Sequence, residues 1–181
     1  YKIELAKHPK TPASTLLLFS KNQYSADLLI EVSKNPNSTE STQINLVDHT
    51  ARHEVWKNIL TTTDPSSKVL MAMALRMSKD YNEPNSIDDM TLSVYKLIGS
   101  AKNLTEKVKD ALLNSNKFEA REAAVYCKNL SNEDLLRLAS DETGYVRLIL
   151  ACNDEANYPE AIWKKLLRDK KDEVRVFLAR N

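Results

Sequence analysis

Asp141-Glu142-Thr143-Gly144-Tyr145-Val146-Arg147 runs on to Leu150-Ala151-Cys152-Asn153. Lys170-Lys171-Asp172-Glu173-Val174-Arg175 then runs on to Leu178-Ala179-Arg180-Asn181, with Val174 falling 28 residues after Val146. Acidic residues before Val-Arg place negative charge at a helix N-terminus and an apolar anchor just inside it. The apolar and small residues that follow close the helix where neighbours pack tightly. A basic residue in the last turn favours the negative end of the helix dipole, and Asn tolerates the backbone that ends a helix.

The closing phrase, apolar–small–basic–Asn, recurs along the chain. It reads Leu5-Ala6-Lys7-His8, Val32-Ser33-Lys34-Asn35, Met77-Ser78-Lys79-Asp80 and Tyr126-Cys127-Lys128-Asn129, with a weaker copy at Ser100-Ala101-Lys102-Asn103. Its small slot falls at 6, 33, 78, 101, 127, 151 and 179, in steps of 27, 45, 23, 26, 24 and 28. The step of 45 hides a degenerate unit with a boundary near Leu60-Thr61, and Glu54-Val55 is a degenerate copy of the opening phrase. A period in the twenties predicts a solenoid of two-helix units, an all-α fold of about seven repeats over residues 1–181 that is degenerate across 50–100. Residues 79–86 read as a loop inserted between repeats, with a hinge between halves as the alternative.

Helical spacing supports this. Leu135 and Leu138, Ile162 and Leu166, and Val108 and Leu112 stand three or four apart, and strand-like alternation is scarce. Thr11-Pro12 reads as an N-cap followed by proline, Ser86–Asp89 and Ser131–Asp134 as capping boxes, and Asn157 or Tyr158 as a start before Pro159. About a dozen helices of roughly 8–14 residues follow from these marks.

The phrase Leu-Ala-x-Asn-(Pro)-x-Thr-Pro-x-x-Leu-x-x-Leu-Ala-x-Asp-x-x-x-x-Val-Arg resembles the leucine-rich repeat variant family of bacterial repeat proteins. Leu130 to Asn181 carries it best, through Leu135, Leu138, Ala139, Asp141, Val146, Arg147, Ala151 and Asn153. Leu5 to Asn35 carries it through Ala6, Pro9, Thr11, Pro12 and Leu16. HEAT-like repeats share the Asp…Val-Arg element. The resemblance implies short α and 3₁₀ helices wound into a right-handed α-superhelix. One type of member holds an iron–sulfur centre on an N-terminal cysteine cluster. Here Cys127 stands in the slot of Ala151 and Ala179 and Cys152 in that of Lys128 and Arg180, so the resemblance implies the fold and no cofactor.

Composition limits function. The chain has 181 residues, 42% hydrophobic and 28% charged, with a net charge of +1. That balance excludes general disorder and gives no global electrostatic case for nucleic acid. The apolar runs are too short to cross a membrane, and a cytoplasmic protein with two reduced cysteines is expected. Only Gly99 and Gly144 are glycine, which leaves no glycine-rich phosphate loop. No nucleophile elbow, acid–base pair or Cys–His proximity points to catalysis. His49 and His53 are four apart, a spacing that can share a metal on one helix, but they lack a third ligand and read as surface residues.

The expected role is therefore a non-enzymatic scaffold that binds a protein partner. Candidate contact residues are the basic ladder Lys7, Lys34, Lys79, Lys102, Lys128 and Arg180, together with Trp56 and Trp163. The alternative is nucleic-acid binding through that ladder on a HEAT-like superhelix, a fold some alkylated-base DNA glycosylases share. For both kinds of residue the competing roles are local: each cation serves its own helix end, and each indole serves packing. Arg147 and Arg175, with Asp141 and Asp169 or Asp172, are expected to tie adjacent helices together. Both ends look open, which predicts a continuing chain or end-to-end pairing with another copy.

Overall fold

The computed structural model describes residues 1–21, 24–50, 52–79, 89–153 and 158–180, with backbone alone for 89–91. Among the described residues there are thirteen α-helices and no strand. They are α1 Lys2–Lys7, α2 Ala13–Ser20, α3 Ala26–Lys34, α4 Glu40–His49, α5 His53–Thr62, α6 Ser67–Met77 and α7 Asp89–Gly99. Then come α8 Glu106–Leu113, α9 Phe118–Ala124, α10 Asn132–Leu138, α11 Gly144–Ala151, α12 Glu160–Leu166 and α13 Asp172–Leu178. No described helix is long and apolar enough to cross a membrane.

Helices this short are marginal alone, so neighbours must hold them. All but α10 and α12 pack chiefly on the helix two places along. The odd row runs α1–α3–α5–α7–α9–α11–α13, and the even row α2–α4–α6–α8. Beyond α8 the even row loosens: neither α8 with α10 nor α10 with α12 is in comparable contact. The core lies between the rows and continues along the chain, from Ala6 and Leu16 through Trp56, Met73 and Ile98 to Leu150, Ile162 and Val174.

One register repeats along the odd row. After α1, α3, α7, α9 and α11 an N–H donates to the carbonyl three residues back: His8 to Leu5, Asn35 to Val32, Ala101 to Ile98, Cys127 to Ala124 and Asn153 to Leu150. Asn35 Nδ2 bonds Ala6 O at 2.6 Å and His8 O at 3.0 Å, and Asn153 Nδ2 reaches Val125 O at 3.4 Å. The small slot is therefore Ala6, Ser33, Gly99, Val125, Ala151 and Ala179. Cys127 and Ala101 stand in the Asn slot, two residues beyond the place their sequence phrase assigns. A Cβ built on Gly99 would lie 2.2 Å from Ala123 O, so the tightest contact of this slot demands glycine.

The helix starts are met in part. Ser131 and Asp134 form the expected capping box. Thr11 does not cap α2, whose N-cap position is Pro12. Its buried hydroxyl instead donates to Leu5 O and ties the turn back to α1, as Ser38 does to Val32 O at 2.5 Å. The α5 helix ends at Thr62, close to the expected Leu60-Thr61 boundary. The expected loop at 79–86, beyond Lys79, and the start at Ser86 lie outside the described residues, as does Asn157.

Candidate functional site

The C-terminal units are joined by charged forks. Arg147 Nε and Nη2 donate to Asp169 Oδ2 and Oδ1 at 2.6 and 3.0 Å. Arg121 grips Asp141 with the same two distances. Each carboxylate also accepts the N–H two residues on, from Thr143 to Asp141 and from Lys171 to Asp169, both at 2.8 Å. The Asp169 hydrogen bond raises the Arg147 pKa, and Arg147 holds the Asp169 carboxyl below its usual range, against the opposing pull of burial.

Trp56 belongs to the same device. Its Nε1–H donates to Thr50 O, six residues back, at 3.0 Å. Arg121, Arg147 and Arg175 each place Nη1 on the carbonyl six residues back, of Ser115, Asp141 and Asp169. Thr50 Oγ1 accepts from Arg52 N, as Ser115 Oγ accepts from Lys117 N. Val55 is correspondingly buried beside Val146 and Val174 in kind, as the degenerate phrase at Glu54-Val55 implies. Trp56 is 2% exposed and serves packing. Trp163 on α12 is half-buried against Tyr158, with ring centroids 6.1 Å apart.

The six residues of the basic ladder do not share one register. Lys7, Lys34 and Arg180 directly follow the small slot. Lys102 and Lys128 stand two residues further on, where Pro9 and Pro36 stand in the first units. Lys79 follows α6, in the other row. Lys7 and Lys34 pair one turn back with Glu4 and Glu31 at 3.2 and 3.1 Å, and Lys102 lies 3.7 Å from Asp64. Arg180 lies over the Phe177 ring at 5.6 Å. Lys7, Lys34 and Arg180 thus make contacts within their own helix ends, whereas Lys102 reaches the turn between α5 and α6. His49 ends α4, with Nδ1 2.8 Å from Asn45 O, and His53 begins α5, so the two imidazoles do not share a helix face.

A different cluster lines an open cleft at the C-terminal units. Where α10 and α12 fail to close on one another, a cleft of about 700 Å³ remains. Its floor is the Arg147–Asp169 fork. One wall is the end of α10 with Asp141 and Glu142, and the other carries Lys164, Lys165, Arg168 and Lys170. Lys164 is engaged by Glu160 at 2.7 Å, whereas Lys165, Arg168 and Lys170 have no ion-pair partner among the described residues. Asp141 and Asp169 are already neutralised by arginine, which leaves the cleft net positive. Ala139 and Ala161 line it, the exposed Leu136 stands on α10, and the exposed Leu167 directly follows α12. The signal for it is present in the sequence: five cations fall in the eight residues Lys164 to Lys171. The near-zero net charge of the whole chain masks it, and it does not recur once per repeat.

Compared with protein-family models, curated proteins and solved structures, the chain matches none.

Proposed function

We propose that the protein is a non-enzymatic scaffold, a right-handed solenoid of about seven HEAT-like helix pairs akin to leucine-rich repeat variant proteins, that holds an acidic segment of a protein partner in the α10–α12 cleft. The cleft's three uncompensated cations carry this reading. Lys165, Arg168 and Lys170 surround a hollow that is apolar at Ala139 and Ala161 and wide enough for a chain segment. Acidic side chains gain charge-assisted contacts there, and the mixed lining supplies specificity. The proposal includes a cytoplasmic setting, in which the Cys127 and Cys152 thiols stay reduced.

The same cations fit phosphates, which is the observation behind nucleic-acid binding as a second reading. Glu142 on the facing wall counts against it, because a continuous polyanion would meet that carboxylate. The readings separate by titrating the chain, over a salt series, against a Glu-rich peptide with leucine anchors and against duplex DNA. Peptide binding that falls at least about 10-fold in Lys165→Glu/Arg168→Glu supports the scaffold reading. DNA binding with a steep salt slope and no peptide binding replaces it.

A further inference from the structure

In α9 and α11 the position four residues before the small slot holds Arg121 and Arg147, and each guanidinium meets a carboxylate of the next unit. In α5 and α7 rings hold that place. Trp56 occupies it through its bond to the carbonyl six residues back, and Tyr95 stands four residues before Gly99. His53 abuts both rings, with centroids 6.5 Å from Trp56 and 5.9 Å from Tyr95 and interplanar angles of 89° and 85°. The three rings, Met77 at the end of α6 and Glu119 of α9 line a hollow of about 10 Å³, room for one water-sized group. Trp56, Tyr95 and Met77 are buried, whereas His53 and Glu119 are partly exposed and mark its mouth. Glu119 Oε2 is buried with no hydrogen-bond partner, and no cation among the described residues pairs with Glu119. A carboxylate is therefore present at this junction, and the chain's own cation is not.

We propose that this hollow binds a small primary ammonium cation, the ammonium ion or methylammonium. Aromatic rings attract a cation through their electron-rich faces, most strongly where water is excluded. Glu119 Oε2 accepts a charge-assisted hydrogen bond from the ammonium N–H, which satisfies an oxygen that burial leaves without one. Met77 supplies a soft apolar wall for a single methyl group. The size of the hollow shuts out a quaternary ammonium. A metal cation needs several oxygen ligands, and the hollow offers one carboxylate, with no group of three metal-ligating side chains among the described residues. The inference is independent of the α10–α12 cleft and of what binds there.

The test follows the indole N–H cross-peaks of Trp56 and Trp163 by NMR in the full chain, assigned through Trp163→Phe. Methylammonium chloride is titrated against sodium chloride at constant ionic strength. The Trp56 peak is expected to shift saturably while the Trp163 peak stays in place. Ammonium chloride should act alike, and tetramethylammonium and potassium should not. Glu119→Gln is expected to weaken binding at least about 10-fold, and Glu119→Asp, which keeps the charge, to weaken it less. If Glu119→Gln fails to fold, the Asp variant and the series of cations on the unaltered chain still decide. No saturable shift overturns the proposal and leaves water as the partner of Glu119. An equal response to tetramethylammonium or potassium, or binding indifferent to Glu119→Gln, also overturns it.

Discussion

Arg147 links three segments through one side chain: it holds Asp169 with two donors and the Asp141 carbonyl with a third. Removing it strands a carboxylate whose own side chain is 6% exposed. Arg147→Ala is expected to cost about 3–5 kcal/mol in urea denaturation, and replacing both partners with leucine markedly less. The Asp169 pKa is lowered on folding, so its stabilisation is present above the unfolded carboxylate value and is lost as pH falls through the folded one. Arg147→Ala should therefore remove part of the stability loss in the acid range. Glu122 behaves oppositely. It is fully buried on α9 with neither carboxyl oxygen hydrogen-bonded, and burial, aided by Glu119 and Asp141, pushes its pKa up to about 8. Between about 4.5 and 8 the folded state binds the extra proton, so stability falls as pH rises through that window and levels off above it. Glu122→Gln should flatten the slope, by up to about 1.4 kcal/mol per pH unit, in urea midpoints at pH 5, 6.5 and 8. An unchanged slope would remove Glu122 as its source.

At the scale of elements, the helices are six to eleven residues long and owe their stability to stacking. The contact between α7 and α9 is the tightest test of that. A Cβ at Gly99 would meet the Ala123 carbonyl at 2.2 Å and Tyr126 Cβ at 2.8 Å, so α9 would have to move. Gly99→Ala, which raises intrinsic helix propensity, is nonetheless expected to destabilise by at least about 2 kcal/mol. A neutral or stabilising result in thermal denaturation would show that the two helices separate freely. Gly99 also shows why the sequence phrase slipped register. Ser100-Ala101-Lys102-Asn103 matches the apolar–small–basic–Asn pattern well enough, but the residue that permits close approach lies two earlier. Cys127 slipped for the same reason, since Val125 fills the small slot and a branched residue there breaks the composition rule.

Across the whole molecule, the interior helices of the odd row have stacking neighbours on both sides, whereas α1 and α13 have one. Opening free energy should therefore fall toward both ends. Hydrogen exchange followed by mass spectrometry is expected to be fastest in α1 and α13 and slowest between α5 and α9, where Trp56, Met73 and Ile98 are fully packed. Uniform protection from end to end would mean one cooperative unit instead. The loosened even row also decides where the cleft lies. From α8 onward, Lys109 reaches Asp134 of α10 at 3.4 Å, and Arg–Asp forks bridge the units below. These polar links join the units where the even row no longer packs.

Helical character, the opening phrase at Val146-Arg147 and Val174-Arg175, the capping box at Ser131 and the tie between Arg147 and Asp169 could all be read from the chain, because each rests on residues close in sequence or on a phrase that repeats. The pairing of helices two places apart, the separate row of Lys79, the seat of Trp56 in an arginine's position and the α10–α12 cleft came only from the tertiary structure. Periodicity tells which residues are apolar, but which helix covers them depends on approach distances, and these turn on single atoms such as the missing Cβ of Gly99. Cations one unit apart in sequence look like a stripe, yet Lys7 and Lys34 end their helices while Lys102 and Lys128 stand in the turns beyond theirs, which dissolves it.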